Sequence, residues 1–246
     1  MVDPQKEYQR QKSRCICRLE RAGERIRKAF PRFRLDTIPF DDQAVIGEVV
    51  RHPHPLMRSC YRERRQKAFL WRLNPQSVSE LAAALAIFRP GAVFNEVTDA
   101  YIGAPSCASR KNKIRGILAA VTVSTRGIII YQEQILEAAK LAGLSTREAE
   151  FLRRYAGRNM QIMEQNKPGF VAVAVRNGNR RKDAETLYDE LCKAGCYAFN
   201  RGHAMETVLL VYRMAYLARY FPREYGRGSA ADRYIPRPDK VYEVRQ

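Results

Sequence analysis

Histidine, cysteine and aspartate or glutamate are the side chains that hold metals and move protons, so their spacing comes first. His52-Pro53-His54-Pro55 sets two imidazoles close together, and Cys15-x-Cys17 and Cys192-x-x-x-Cys196 are close thiol pairs. A structural zinc needs four such ligands, commonly two pairs at a recurring spacing. Cys15 and Cys17 fall on different faces of a helical stretch, and Cys192 and Cys196 lie in an apolar helix. The pattern predicts a surface turn at the histidines and reduced thiols, as in a cytoplasmic protein, with no metal bound. Two-metal nucleotidyl transfer needs two or three converging carboxylates, usually signalled by Asp-x-Asp on a strand. The aspartates stand at 3, 36, 41, 42, 99, 183, 189, 232 and 239 and make no such pair. The one adjacent pair, Asp41-Asp42, reads as a helix cap. A phosphate-binding Gly-rich loop ending in Gly-Lys-Ser/Thr, a Gly-x-Ser-x-Gly elbow and a His-x-x-x-His pair are also absent. No complete active site, and no catalytic residue, is expected from these residues.

Cations are plentiful instead. Lys and Arg number 44 against 26 Asp and Glu, so the 246 residues carry a formal charge of +18. A folded body this basic meets a polyanion. Arg58, Arg62, Arg64, Arg65, Lys67 and Arg72 form one run, with Tyr61, Phe69 and Trp71 interleaved. Cations neutralise phosphates and rings stack on bases, so the run is a candidate nucleic-acid surface. Hydrophobic residues make up 46%, too many for a disordered tail and enough for a core. No apolar stretch approaches the roughly 20 residues of a membrane span, and the charged N-terminus has no signal-peptide core.

The elements that carry these residues read as helices. Gln5–Phe30 is a basic amphipathic helix with Tyr8, Cys15, Leu19, Ala22, Ile26 and Phe30 on its apolar face. Its cationic face is either a solvated cover for a core or an arm that docks phosphate or a partner. Asp41 or Asp42 caps the next helix, and His52–Pro55 ends it. Ser77–Phe88 is an apolar helix stopped by a turn at Arg89-Pro90-Gly91, and Ser106–Asn112 is a loop. An alanine-rich helix lies before Gly143, and Ser145-x-x-Glu148 is a capping box that opens another helix. Gly157, Pro168-Gly169 and Asn177-Gly178 punctuate the following stretch. Lys182–Lys193 and Met205–Tyr220 are further helices, and the tail from Gly226 is loose. Strand-type alternation is nearly missing, so the fold class is mainly α.

Four segments resemble, in order, the fingers domain of the bacterial replicative DNA polymerase III alpha subunit, a C-family polymerase. They are Phe88-Arg89-Pro90-Gly91-Ala92, Gly127-Ile128-Ile129-Ile130-Tyr131-Gln132-Glu133-Gln134, Ala149–Arg158 with its Leu152-Arg153-Arg154, and Tyr197-Ala198-Phe199-Asn200-Arg201-Gly202-His203-Ala204. Tyr212–Tyr225 is similar to a helix that ends in Tyr-Pro-x-Glu-Phe, and Ile38–Asp42 to the segment that opens the fingers. The resemblance spans residues 36–225 and implies a multi-helix fingers domain, preceded by a basic helical arm at 1–35 and followed by a basic tail at 226–246. It implies nucleotide binding by Arg153, Arg154, Arg158, Asn200, Arg201 and His203; the expected DNA-binding residues are Arg58, Arg62, Arg64, Arg65 and Lys67 of the basic run, on its mix of cations and rings, together with Arg89. In that family the catalytic aspartates lie in the palm. Mg²⁺ is accordingly expected on a separate palm-bearing partner chain, with none bound here.

Arg154 and Arg158 stand at i, i+4 and are expected on one helix face, with Arg153 about 100° away. The bland alternatives are a solvated helix face for the arginines and a satisfied helix N-terminal position for His203. The sequence departs from the family at Ala92, at Asn159-Met160-Gln161, at Thr207 and at Pro55–Cys60, which suggests a diverged relative from a virus of bacteria. The leading expectation is a fingers subunit of a split DNA-directed DNA polymerase, a nucleotidyltransferase inactive on its own. Its partners would be primer-template DNA, dNTP and the palm subunit, in the cytoplasm of a bacterial or bacteriophage-infected cell. The alternative is a catalytically inert DNA-binding or replisome-modulating protein that keeps the fingers fold; Asn159-Met160-Gln161, where the resemblance implies a Lys-rich continuation, and Thr207, where it implies an aromatic residue, favour it. Binding to a membrane surface through the first helix ranks last, since its apolar face lacks Trp.

Overall fold

The computed structural model describes residues 3–57, 63–104 and 116–226. Among them the chain is helical, with no strand beyond one isolated parallel bridge between Tyr131 and Phe199. In order, the helices are α1 (Pro4–Ala29), α2 (Gln43–Arg51), α3 (Glu63–Leu73), α4 (Val78–Ile87), α5 (Pro90–Phe94), α6 (Val97–Gly103), α7 (Gly116–Thr122), α8 (Gln132–Leu141), α9 (Thr146–Tyr155), α10 (Met160–Arg176), α11 (Arg181–Gly195), α12 (Arg201–Tyr220) and α13 (Pro222–Tyr225). The mainly α expectation holds. No helix of the described residues is long and apolar enough to cross a membrane. The chain divides into two compact units, Met1–Leu85 with Met205–Gln246, and Ala86–Ala204.

The first unit is built on α1 and the body of α12. Asp3 caps α1 by accepting from the Gln5 N–H at 3.0 Å, and Pro4 stands at the first turn, where its missing N–H costs nothing. Cys15, Leu19, Ala22 and Ile26 are buried as the periodicity predicts, whereas Phe30 is 48% exposed and meets Phe221 edge-on. Two cations of the basic face turn inward. Arg18 lies 4.2 Å over the Tyr225 ring and donates to the Gly226 carbonyl, and Lys12 pairs with Glu206 at 2.6 Å. Asp42 is the cap of α2, accepting from Ala44 and Val45 N–H, while its own N–H donates to the Tyr212 hydroxyl. Buried Glu48 accepts from both Arg51 and Arg219, so its charge is compensated. The helix break at His52 holds, but His54 is not on a surface turn. It is buried, accepts from Leu56 N–H at 3.1 Å and lies 4.0 Å from the Cys15 sulfur, because the break folds inward under α1. Thr207 is also buried, and its hydroxyl is 2.7 Å from that of Tyr8. The Tyr8 side chain of α1 thus reaches Thr207 on α12, one of the positions where the sequence departs from the family.

The second unit packs α8 against α9, and α10 against α11. The predicted capping box opens α9, with Ser145 and Glu148 each accepting from the other's backbone N–H. Pro168-Gly169 does not punctuate the chain; both residues lie inside α10. They sit on its exposed side while Met163, Phe170, Val171 and Ala174 are buried, so packing carries the helix through a residue that lacks an N–H. Arg89-Pro90-Gly91 likewise starts α5 rather than forming a free turn. The expected loop at Ser106–Asn112 and nearly all of the tail lie outside the described residues.

Candidate functional site

Within the second unit, three chain segments meet around the start of α12. Extended backbone around Tyr131, just before α8, pairs with Phe199: the Phe199 N–H donates to the Ile130 carbonyl at 2.9 Å, and the Gln132 N–H to the Phe199 carbonyl at 2.8 Å. Gln134 locks this arrangement from beneath. Its buried amide oxygen accepts from the N–H of Ile130 and Tyr131, and its amide nitrogen donates to the Val121 carbonyl and the Thr125 hydroxyl. Every one of those bonds is near 2.7–2.9 Å, so the side chain's polar capacity is used and its register fixed.

Helix α12 then begins under two caps. The Asn200 side chain accepts from the His203 N–H at 2.7 Å, and both carboxylate oxygens of Glu133 accept from the Arg201 N–H at 3.0 Å. A carboxylate at a helix N-terminus is also favoured by the helix dipole. The Arg201 guanidinium is exposed and lies 5.8 Å from the Tyr131 ring centre. The half-buried His203 ring meets Phe199 edge-on at 5.5 Å. Burial pushes the Tyr131 phenol far above its usual range, so it stays neutral.

The arginines divide into two sorts. Arg153 is half-buried and committed: it forms a bidentate pair with Glu150 and donates to the Gln132 amide oxygen at 3.0 Å. Hydrogen bonding to Glu150 raises the guanidinium pKa and lowers that of the carboxyl. Arg89 is committed too. It donates to the Ala86 and Tyr197 carbonyls and lies 4.2 Å over the Phe199 ring, and burial lowers its pKa. Arg154 and Arg158 are exposed. They do not share a helix face, because α9 ends at Tyr155 and Gly157 takes a left-handed φ of 71°. The reason is a backbone crossing. A Cβ on Gly157 would lie 2.3 Å from the Cys196 nitrogen, and one on Gly195 would lie 2.3 Å from the Ala156 carbonyl. Arg158 therefore leaves the helix at the turn where α9 crosses the end of α11.

Residues 17–178 match the profile of the bacterial DNA polymerase III alpha subunit finger domain. The chain belongs to that family. DNA polymerase III subunit alpha of Halalkalibacterium halodurans is 31% identical over 176 residues, which is 71% of this chain and 16% of that protein. The same subunit of Buchnera aphidicola is 33% identical over 182 residues, again 71% and 16%, and that of Rickettsia bellii is 33% identical over 161 residues, 65% and 14%. The chain thus spans about one sixth of the length of these relatives.

The finger-domain motifs meet in space. The Tyr131-Gln132-Glu133-Gln134 segment holds the Phe199–His203 box by backbone pairing and by the Glu133 cap, and Gln132 ties Arg153 to both. Gln132, Glu133 and Gln134 are the site residues that a search for cations passes over; their signal was the Gln-Glu-Gln run itself. In the first unit, Arg64, Arg65 and Lys67 lie on α3, with Arg64 and Arg65 exposed and Lys67 half-buried. Arg58 and Arg62 lie outside the described residues. No group of three or more His, Cys, Asp or Glu side chains is placed to hold a metal ion among the described residues.

Proposed function

We propose that this chain serves as the fingers of a split C-family DNA-directed DNA polymerase, binding incoming dNTP and primer-template DNA while a palm-bearing partner supplies the catalytic carboxylates and Mg²⁺. The observation that carries the reading is the hydrogen-bonded junction of the Tyr131–Gln134 segment with the Asn200–His203 box, beside the helix that presents Arg154. Arg154, Arg158 and Arg201 offer exposed guanidinium groups, and such groups hold phosphate oxygens through charge-assisted hydrogen bonds. Arg153 and Asn200 act as positioning residues, since the Arg153 guanidinium and the Asn200 side-chain oxygen are already engaged within the chain. His203 is oriented by Phe199 and borders the same helix start. Fingers of this kind contribute orientation and charge stabilisation rather than covalent chemistry.

Helix α1 supports the DNA part. Lys6, Arg10, Arg14, Arg21, Arg25 and Lys28 are exposed and follow one another at helical spacing along one side. From Lys6 to Lys28 the row runs about 33 Å, close to one turn of B-form DNA. The place of action is the cytoplasm of a bacterial or phage-infected cell. The deciding experiment combines the chain with its palm-bearing partner and measures primer extension. Arg154→Ala is expected to abolish extension while melting temperature and partner binding stay unchanged; unaltered extension refutes the nucleotide role. The chain alone is expected to bind DNA and incorporate nothing.

A second reading, a DNA-binding protein without a working nucleotide site, is favoured by one observation. The Arg201 and His203 N–H groups, which a helix N-terminus would offer to phosphate, are already occupied by Glu133 and Asn200. Wild-type extension by the combined chains excludes it.

A further inference from the structure

The basic run at the start of the chain mixes rings and cations, and the structure sorts them. On α3, Gln66, Phe69, Leu70 and Leu73 are buried, so Phe69 is core. Trp71 points the other way and is 67% exposed, the most exposed of the large hydrophobic side chains among the described residues. The indole thus offers a large apolar face to solvent, on which a flat group can pack.

The surroundings of Trp71 specify the partner's chemistry. Arg64, Lys67 and Trp71 stand at i, i+3, i+7 and form one row; Arg65, Ala68 and Arg72 form the row beside it. Lys67 is one turn from the indole, about 6 Å along the axis, and Arg64 is about 10.5 Å away. Ala68, also exposed, is too small to cover the ring from the preceding turn. Apart from Glu63 at its first position, every charged residue of α3 is a cation. An apolar protein partner would need more than a single ring, and this face offers it only charge around one. A flat ring flanked by cations on successive turns suits an unpaired nucleobase stacked on the indole, with its flanking phosphates on the exposed guanidinium groups of Arg64 and Arg65. A base inside a duplex has both faces covered by its neighbours and cannot use such a platform.

We infer that Trp71 is a stacking platform for an unpaired base, and that the exposed face of α3 is a binding site for single-stranded nucleic acid. The inference needs neither dNTP nor a palm, so its failure would leave the nucleotide role of Arg154 untouched.

Trp71 is the one tryptophan in the sequence, so its emission reports on this site alone. The test titrates the full chain with fluorescently labelled oligo(dT), reading binding from the label's anisotropy and stacking from tryptophan emission. Bound oligo(dT) is expected to quench the emission; a blunt hairpin duplex of equal charge is expected to bind without quenching. Trp71→Ala is expected to weaken oligo(dT) binding roughly tenfold, and Trp71→Phe to restore most of the loss. Because the side chain is exposed, both variants should melt with the wild type. Unchanged emission with oligo(dT) bound, equal quenching by the duplex, or wild-type affinity in Trp71→Ala each overturns the assignment. Quenching by phosphatidylserine vesicles but not by oligo(dT) overturns it in favour of a lipid surface.

Discussion

Both carboxylate oxygens of Glu133 lie 3.0 Å from the backbone nitrogen of Arg201, across 68 positions of sequence. A side chain from the first turn of α8 thereby caps the first N–H of α12, and Asn200 caps the third. This bond fixes where α12 starts and so where Arg201 and His203 stand. Glu133→Ala removes the cap and is expected to cost about 0.5–2 kcal/mol. Glu133→Gln keeps an acceptor and should cost less. Thermal unfolding of the two variants checks the order.

The crossing of Gly157 with Gly195 tolerates no side chain. Gly157→Ala and Gly195→Ala would each drive a methyl carbon to 2.3 Å from backbone atoms. Each is expected to cost about 3 kcal/mol or more, seen as a large drop in denaturant midpoint. Gly169 provides the contrast, since a Cβ there meets nothing within 4 Å inside a helix. Gly169→Ala should gain about 0.5–1 kcal/mol.

The cationic row on α1 predicts a salt dependence. Replacing Arg10, Arg14, Arg21 and Arg25 by Gln should make the log–log slope of duplex affinity against salt shallower by about 0.9 for each phosphate that the row no longer neutralises. Glutamine keeps the helix propensity, so circular dichroism should not change. A charge-matched set off the row, Arg27, Arg147, Arg176 and Lys182, is expected to move the slope far less. Equal effects from both sets would mean that net charge, not the row, binds DNA.

Thiol reactivity separates the cysteines. Cys17 and Cys196 are exposed, whereas burial pushes the Cys192 thiol up to about 11 from its ordinary 9.0. Only the thiolate attacks, so at pH 8 the reactive fraction at Cys192 is lower by about a hundredfold. Peptide mapping after brief alkylation should find Cys17 and Cys196 modified before Cys192. Labelling of Cys192 should rise as pH approaches 11, because its thiolate fraction keeps growing to that point.

Local rules were legible in the residues alone. The periodicity of α1, a cap at Asp41 or Asp42, the Ser145–Glu148 box and the excess of Lys and Arg each depend on neighbours within a turn or two, so the helical class and the basic character followed directly. The order of four short motifs was enough to indicate the family. What packing decided lies at longer range. Arg153 and Arg154 are adjacent and alike in sequence, yet only Arg153 meets Glu150 and Gln132, because only its side of α9 faces α8. Phe69 and Trp71 separate for the same reason on α3. The passage of α10 through Pro168 and the burial of His54 were settled by segments distant in the chain. Helix caps and hydrophobic spacing carry no information about which distant backbone will press against them, and here that pressure chose which cations stay exposed.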